Sequence, residues 1–332
     1  MSELVKNRSE ILFLYDVTDA NPNGDPVDEN KPRIDEETGV NIVTDVRLKR
    51  TIRDYLINFK NKKEEIFVKE IVKDDGKQKT REERIEEEDI KTLKDAERLT
   101  DKYLDLRLFG ATIGLKGKKP KKEDEEKGQK GTSITWTGPV QFKYGRSMHK
   151  VAPAFIKGTT VMPSKEGLAQ GTFTERYILP YSLIAFYGIV NENAAQQQGI
   201  KLTEEDISLM LEGIWNGTKN LISGSKFGQM PRLLMQVIYK EANFYIGELD
   251  KRISIISDKN DESIRSITDL KIDITNLVKA LSNHKDKIEK VRLKVDDRIT
   301  FMQIGNYDNL KSILKEITLN VEDITFLNKE TQ

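Results

Sequence analysis

The chain has no cysteine, and His149 and His284 are its only histidines among 332 residues. Disulfides and thiolate metal ligands are therefore excluded, a reducing compartment is permitted, and a zinc site has too few donors to be built. An excess of one charge is also lacking, because Lys+Arg and Asp+Glu both total 55. With a formal net charge of zero, bulk composition gives no pull on nucleic acid, and any basic surface has to come from uneven placement. No run approaches the roughly 18 apolar residues of a membrane span, and Met1-Ser2-Glu3-Leu4-Val5-Lys6 has no apolar signal core. The expectation is a cytoplasmic protein with no membrane partner. Gly-rich phosphate loops of the Walker or dinucleotide type and the serine elbow of hydrolases are absent too.

What is present is charge, arranged in blocks. Residues 61–130 hold 20 basic and 19 acidic side chains, so this stretch reads as a solvated, mostly helical insertion, near-disordered at Lys116–Lys130. Its one apolar phrase, Leu104 to Ala111, is expected to anchor it to a core. Residues 131–240 are apolar, Gly-containing and net basic, with 11 cations against 7 anions.

The element pattern is legible in most of the chain. Ser9–Thr18 reads as a strand whose run Ile11-Leu12-Phe13-Leu14 suits burial on both faces. Residues 45–59 read as a helix capped by Thr44 or Asp45, with Leu48, Ile52, Tyr55, Leu56 and Phe59 on one stripe. Ser133–Thr137 and Val140–Tyr144 read as strands broken at Gly138-Pro139. Ala154–Tyr177 reads as a protruding β-hairpin, and Pro180–Val190 as a further strand. Thr203–Leu221 reads as a helix, with acids in its first turn. The loop Ser223–Gly228 and the strand Pro231–Lys240 follow. Past residue 241, one helix over Ser266–Asn283, a strand at Lys290–Val295 and a helix at Asn309–Ile317 are expected. Strands flanking the two best helices give an α+β fold of the split βαβ, RNA-recognition-motif (RRM-like, ferredoxin-like) type.

Three constellations bear on chemistry. The loop Asn21-Pro22-Asn23-Gly24-Asp25-Pro26 can present amides and backbone N–H groups to a phosphate, although the same residues make an ordinary turn. The helix start carries Arg47, Lys49, Arg50 and Arg53 beside free N–H groups, which together form an anion site. The alternative is a solvated cationic face. Nearby in sequence, only Asp45 and Asp54 oppose these four cations. Ser223-Gly224-Ser225-Lys226 can admit a close-passing backbone and pair Lys226 with a phosphate, or it can be a helix C-cap. Arg146, His149 and Lys150 close one strand, and a lone His is more often packed than catalytic. The acids Asp16, Asp19, Asp25, Asp28, Asp35, Glu36 and Glu37 crowd the first forty residues without the spacing of any defined metal motif, so neither a metal nor a cofactor is expected.

The phrases Tyr15–Pro26 and Val43–Tyr55 carry a resemblance, together with Leu106-Arg107-Leu108-Phe109-Gly110-Ala111 and Thr135-Trp136-Thr137-Gly138-Pro139-Val140-Gln141-Phe142. Over residues 8–240 the chain resembles the backbone subunit of type I CRISPR surveillance complexes (Cascade), the seventh Cas family of the RAMP superfamily. It is most similar to the subtype I-B branch and then to I-C. The resemblance implies a single elaborated domain shaped as a hand. Residues 8–60 and 131–240 would form the RRM-like palm, 61–130 a helical finger insertion, 154–177 a β-hairpin thumb, and 241–332 an α/β extension of the palm.

The resemblance further implies a non-catalytic antiviral-defence protein, not an enzyme, that polymerises as a helical filament along CRISPR RNA (crRNA). It would grip the phosphates so that the bases pair with target DNA. The implied partners are further copies of itself, a repeat endoribonuclease, an opposite-end subunit, a large PAM-reading subunit and a recruited helicase-nuclease. Implied RNA-binding residues are Arg47, Lys49, Arg50, Arg53, Ser223, Gly224, Ser225, Lys226, Asn21, Asn23, Arg146, His149 and Lys150, with Met162 and Lys165 at the thumb. Type III relatives supply the rival reading, a metal-dependent endoribonuclease using Asp25 or Asp35 on target RNA.

Overall fold

The computed structural model describes residues 2–90, 93–114, 133–159, 173–307 and 309–326. Met162, Lys165, the Lys116–Lys130 stretch and the tip of the expected hairpin lie outside the described residues.

The organising element is β1 (Ser9–Ala20). Its apolar run is buried on both sides, because alternate side chains of a strand point to opposite faces. Ile11, Phe13, Tyr15 and Val17 enter one core, while Leu12 and Leu14 enter another. Each such side chain contributes about 1.5–3 kcal/mol on burial.

Around β1 the sheet takes in β2 (Val40–Val43), β3 (Gly145–Lys150), β4 (Phe173–Val190), β5 (Gln229–Tyr239), β6 (Ile288–Val295) and β7 (Val321–Asp323). The spatial order is β7-β6-β5-β1-β4-β3-β2, continued by Ile34–Asp35, with Val140–Phe142 and Ala154–Thr159 also paired to β4. β1 runs antiparallel to both β4 and β5.

The first core is closed by two helices, α1 (Asp45–Phe59) and α2 (Glu204–Lys219). Thr44 caps α1, its hydroxyl accepting from the Arg47 N–H at 3.3 Å. Thr203 caps α2 in a reciprocal box with Asp206. The two helices cross closely at Gly217, where an added Cβ would stand 3.0 Å from the Thr51 carbonyl oxygen. The expected stripe of α1 is buried at Leu48, Ile52, Tyr55 and Leu56, but Phe59 is 54% exposed. The Phe59 ring lies on the buried Tyr55 ring instead, with centroids 5.3 Å apart.

The 61–130 segment is helical at Arg81–Glu87, Leu93–Lys102 and Leu104–Phe109. Leu104, Leu106, Leu108 and Phe109 sink into the first core, as the apolar phrase implies. The hairpin Gly110–Gly114 with Ser133–Thr137 follows. At its base Gly110 takes φ +71°, and Gly138 lies so close to it that a Cβ there would meet the Phe109 carbonyl carbon at 2.0 Å.

Most residues from Leu249 to Leu319 that are buried pack on the other face of the sheet and, with Leu12, Leu14 and Leu183, form the second core, while Ile324 joins the first. The single helix expected over Ser266–Asn283 is corrected to a 3-10 turn at Ile267–Asp269, a strand at Lys271–Asp273 and a helix at Thr275–Asn283. Ser266 and Asp269 close a capping box on one short turn, and the alternation from Lys271 to Ile274 then favours an extended chain. The extension is fastened to β1 through Glu10, whose buried carboxylate accepts from the Tyr187 and Tyr239 hydroxyls and from the Ile246 and Gly247 N–H groups.

Gly138→Ala is expected to lower stability by about 1–3 kcal/mol or more, because the new methyl meets main-chain atoms that no rotamer change can clear. Urea unfolding followed by circular dichroism checks it, and an unchanged midpoint would contradict the packing.

Candidate nucleic-acid interface

Three segments converge where α1 begins. The loop after β1 is tied to the loop after α2 by three bonds. Thr18 N–H donates to the Gly228 carbonyl (3.0 Å), Asn21 N–H donates to the Ser225 carbonyl (2.8 Å), and the Lys226 ammonium donates to the Asn21 carbonyl (2.5 Å). Asn23 fixes the start of α1, its side-chain oxygen accepting from the Thr44 N–H and hydroxyl, both at 2.9 Å. The Asn21 side-chain amide donates to the Asn30 carbonyl. Both asparagines thus act as struts, and Asn21 is buried.

Between α1 and the loop after α2 runs a cleft of about 270 Å³, lined by Arg47, Arg50, Thr51, Tyr55 and Phe59 on one side and Asn220, Ser223 and Lys226 on the other. The four cations of α1 are not equivalent. Arg53 is only 12% exposed and pairs at 2.8 Å with Asp105, which is 1% exposed. Asp105 also accepts from the Phe67 and Val68 N–H groups, which holds the charged insertion against α1. Lys49 pairs with Asp45 at 2.8 Å and sits over the Phe109 ring. Arg50 reaches Glu70 at 2.9 Å and Asp54 at 3.4 Å. The sequence set only Asp45 and Asp54 against the four, and the fold adds Asp105 and Glu70 from the insertion.

Arg47 is the exception. Among the described residues its side chain makes no hydrogen bond or ion pair, and it shares the cleft with Lys226. Burial holds the Arg47 guanidinium below its ordinary pKa; the Asp54 carboxylate and Tyr15 oppose this and Arg50 reinforces it. Burial pushes Lys226 down to about 8, and Arg47 adds to the shift. Two half-buried cations repel each other here, so an anion entering the cleft is favoured by both.

The other nominated residues fall elsewhere. Ser223 and Gly224 are exposed on the loop, Ser225 is half-buried, and Arg176 donates to the Gly224 carbonyl at 3.5 Å. Arg146 lies on β3, pairs with Asp35 at 3.1 Å, and lines a separate groove with Lys143, Tyr144 and Lys251. Lys150 is exposed at the end of β3. His149 is 3% exposed and stacks on Tyr181. Its Nδ1–H donates to the Lys150 carbonyl and its Nε2 accepts from the Leu183 N–H, so the neutral ring is a packing residue held away from any surface ligand. Burial lowers its pKa accordingly. Asp25 is taken by Arg33 at 2.7 Å and Asp35 by Arg146.

This is an elaborated α+β protein built on one large sheet, with a cleft lined by cations at one end of that sheet. A family model for "CRISPR-associated protein Cas7" matches residues 7–275. The "CRISPR-associated protein Cas7" of Haloferax volcanii is 34% identical, over 97% of this chain and 98% of that protein. One chain of a solved "CRISPR RNA-guided surveillance complex" aligns with a TM-score of 0.48 at 12% identity, covering 93% of this chain and 98% of that one. One of a "CRISPR RNA-guided surveillance complex, pre-nicking" aligns with a TM-score of 0.48 at 11% identity, covering 93% and 99%. The chain belongs to the Cas7 family of CRISPR-associated proteins.

Two outcomes follow from the charge layout. Arg53→Gln should destabilise the fold by about 3–5 kcal/mol, because it leaves Asp105 buried without its cation, whereas Arg47→Gln should leave the urea midpoint within about 0.5 kcal/mol of wild type. A comparable loss in both variants would contradict the assignment. The second concerns pH. Bound phosphate favours charged Lys226, so binding takes up a proton once the pH passes the free-state value of about 8. Affinity for a phosphate-bearing ligand such as a labelled oligonucleotide should therefore fall as the pH rises from 8 to 10, and Lys226→Arg should flatten the profile. Fluorescence anisotropy at fixed ionic strength reads both.

Proposed function

We propose that this chain is a non-catalytic, CRISPR RNA-binding backbone subunit of a type I complex, of the I-B kind. The observation that carries the reading is the Arg47–Lys226 pair, two half-buried cations in one cleft at the end of the sheet. Family membership supplies the context. The strand order β5-β1-β4-β3, with α1 following β1 and α2 preceding β5, supports an RRM-like palm. The 61–130 insertion is read as the fingers, the hairpin rising from Ala154–Thr159 and the start of β4 as the thumb, and the part beyond 240 as an extension of the palm.

In this reading each copy contacts the sugar-phosphate backbone, and base pairing with target DNA does the reading of sequence. A phosphate enters the cleft between Arg47 and Lys226, while Arg50, bound to acids at the rim, exchanges partners with the strand. Further copies along one guide multiply a modest contact into a stable assembly. The other Cascade subunits and the helicase-nuclease are partners on the same reading. Asp25 and Asp35 are each engaged by an arginine, and no observation favours the endoribonuclease alternative.

The test is co-expression with a CRISPR array. Wild-type protein should purify with nucleic acid, seen as a raised 260/280 nm absorbance ratio, in elongated particles that shed RNA as salt rises. Arg47→Glu with Lys226→Glu should remove the RNA and keep the native circular dichroism spectrum. Wild-type protein that emerges free of RNA, and takes up no guide in dilute buffer, would overturn the proposal.

A further inference from the structure

The cleft has a second end. From Arg47 it follows α1 for twelve residues to Phe59, about 18 Å of helix. The chemistry changes along the way. At the Arg47 end lie the two cations. At the far end the Phe59 ring rests with one face on the buried Tyr55 ring and remains 54% exposed. Tyr55 is itself fixed, its hydroxyl donating to Glu212 at 2.8 Å and accepting from the Asn216 amide at 3.3 Å. Ile222, 86% exposed, lines the same cleft just past the end of α2, as do Asn58 and Asn220.

Packing within the chain does not explain why a phenylalanine face stays open in the same cleft as two cations. A nucleic-acid strand does, because single strands are held by cations for the phosphates and by aromatic faces for the bases. Among the described residues Phe155 and the half-buried Tyr177 also lie ring to ring, but the lysines over their rings are paired, Lys31 with Asp28 and Lys157 with Glu175.

Building on the phosphate-binding reading, we propose that the α1–α2 cleft is a strand-binding subsite in which one phosphate sits between Arg47 and Lys226 and a base further along the same RNA strand stacks on Phe59. The roughly 18 Å between the two ends means that the stacked base and the gripped phosphate belong to different nucleotides of the strand. Every base has a face to stack, so the subsite accepts any letter.

Fluorescence anisotropy with two labelled ten-nucleotide RNAs, one intact and one abasic with the same phosphates, tests this in low salt on the full chain. Wild type should prefer the intact strand by roughly tenfold. Phe59→Ala should abolish the preference while binding the abasic strand as wild type does, and Phe59→Trp should retain it. A 2-aminopurine base in the intact strand should be quenched by wild type and not by Phe59→Ala. Equal binding of both strands by wild type overturns the stacking subsite. So does an effect of Phe59→Ala confined to self-association in light scattering without RNA, which would mark Phe59 as a protein contact. Arg47→Gln should weaken both strands. If it weakens neither, the phosphate reading itself fails, whereas loss in Arg47→Gln with no change in Phe59→Ala removes the base subsite alone.

Discussion

Two like charges held close in a half-buried cleft are a cost to the folded chain, and the placement of the surrounding elements keeps Arg47 and Lys226 there. α1 is pinned at its start by Asn23 and Thr44 and along its flank by the Arg53–Asp105 pair. α2 can approach because Gly217 brings no side chain to the crossing. The loop after α2 is then fastened to the end of β1 by Asn21 and Gly228. Each tie is local, and together they keep Arg47 and Lys226 in one cleft, where neither forms an ion pair among the described residues.

Neutral overall charge is reconciled with an anion site by the same layout. The insertion is rich in both signs, and its acids do specific work: Asp105 neutralises Arg53 at the base, and Glu70 reaches Arg50 at the rim. The basic character of α1 is thereby reduced to the part that faces the cleft. Balanced composition conceals a local excess that only the fold creates.

Much of this was legible in the residues. The run Ile11–Leu14 marked a strand covered twice, Thr44 and Thr203 marked the helix starts, and Leu104–Phe109 marked the anchor of the insertion, because each signal is local and strong. Lys226 was nominated by its loop, and the loop does meet α1. The ranking within the helix cations was not legible: Asp105 lies 52 positions from Arg53, and sequence order carries no information about that meeting. His149 belongs to the same class, since its packing against Tyr181 and Leu183 depends on strand pairing. Phe59 was read as core because periodicity cannot tell where a helix outruns its cover. The segment Ser266–Asn283 failed as one helix because short turns and a three-residue strand mimic helical spacing.

The described residues from Leu249 to Leu281 have an effect that reaches past their own packing. They lid the sheet face on which small RNA-recognition modules splay out bases for inspection. With that face covered and fastened through Glu10, the Arg47–Lys226 cleft lies at the rim of the sheet, away from the covered side. A strand lying there, as proposed, would meet cations and an open ring face, groups that do not tell one base from another.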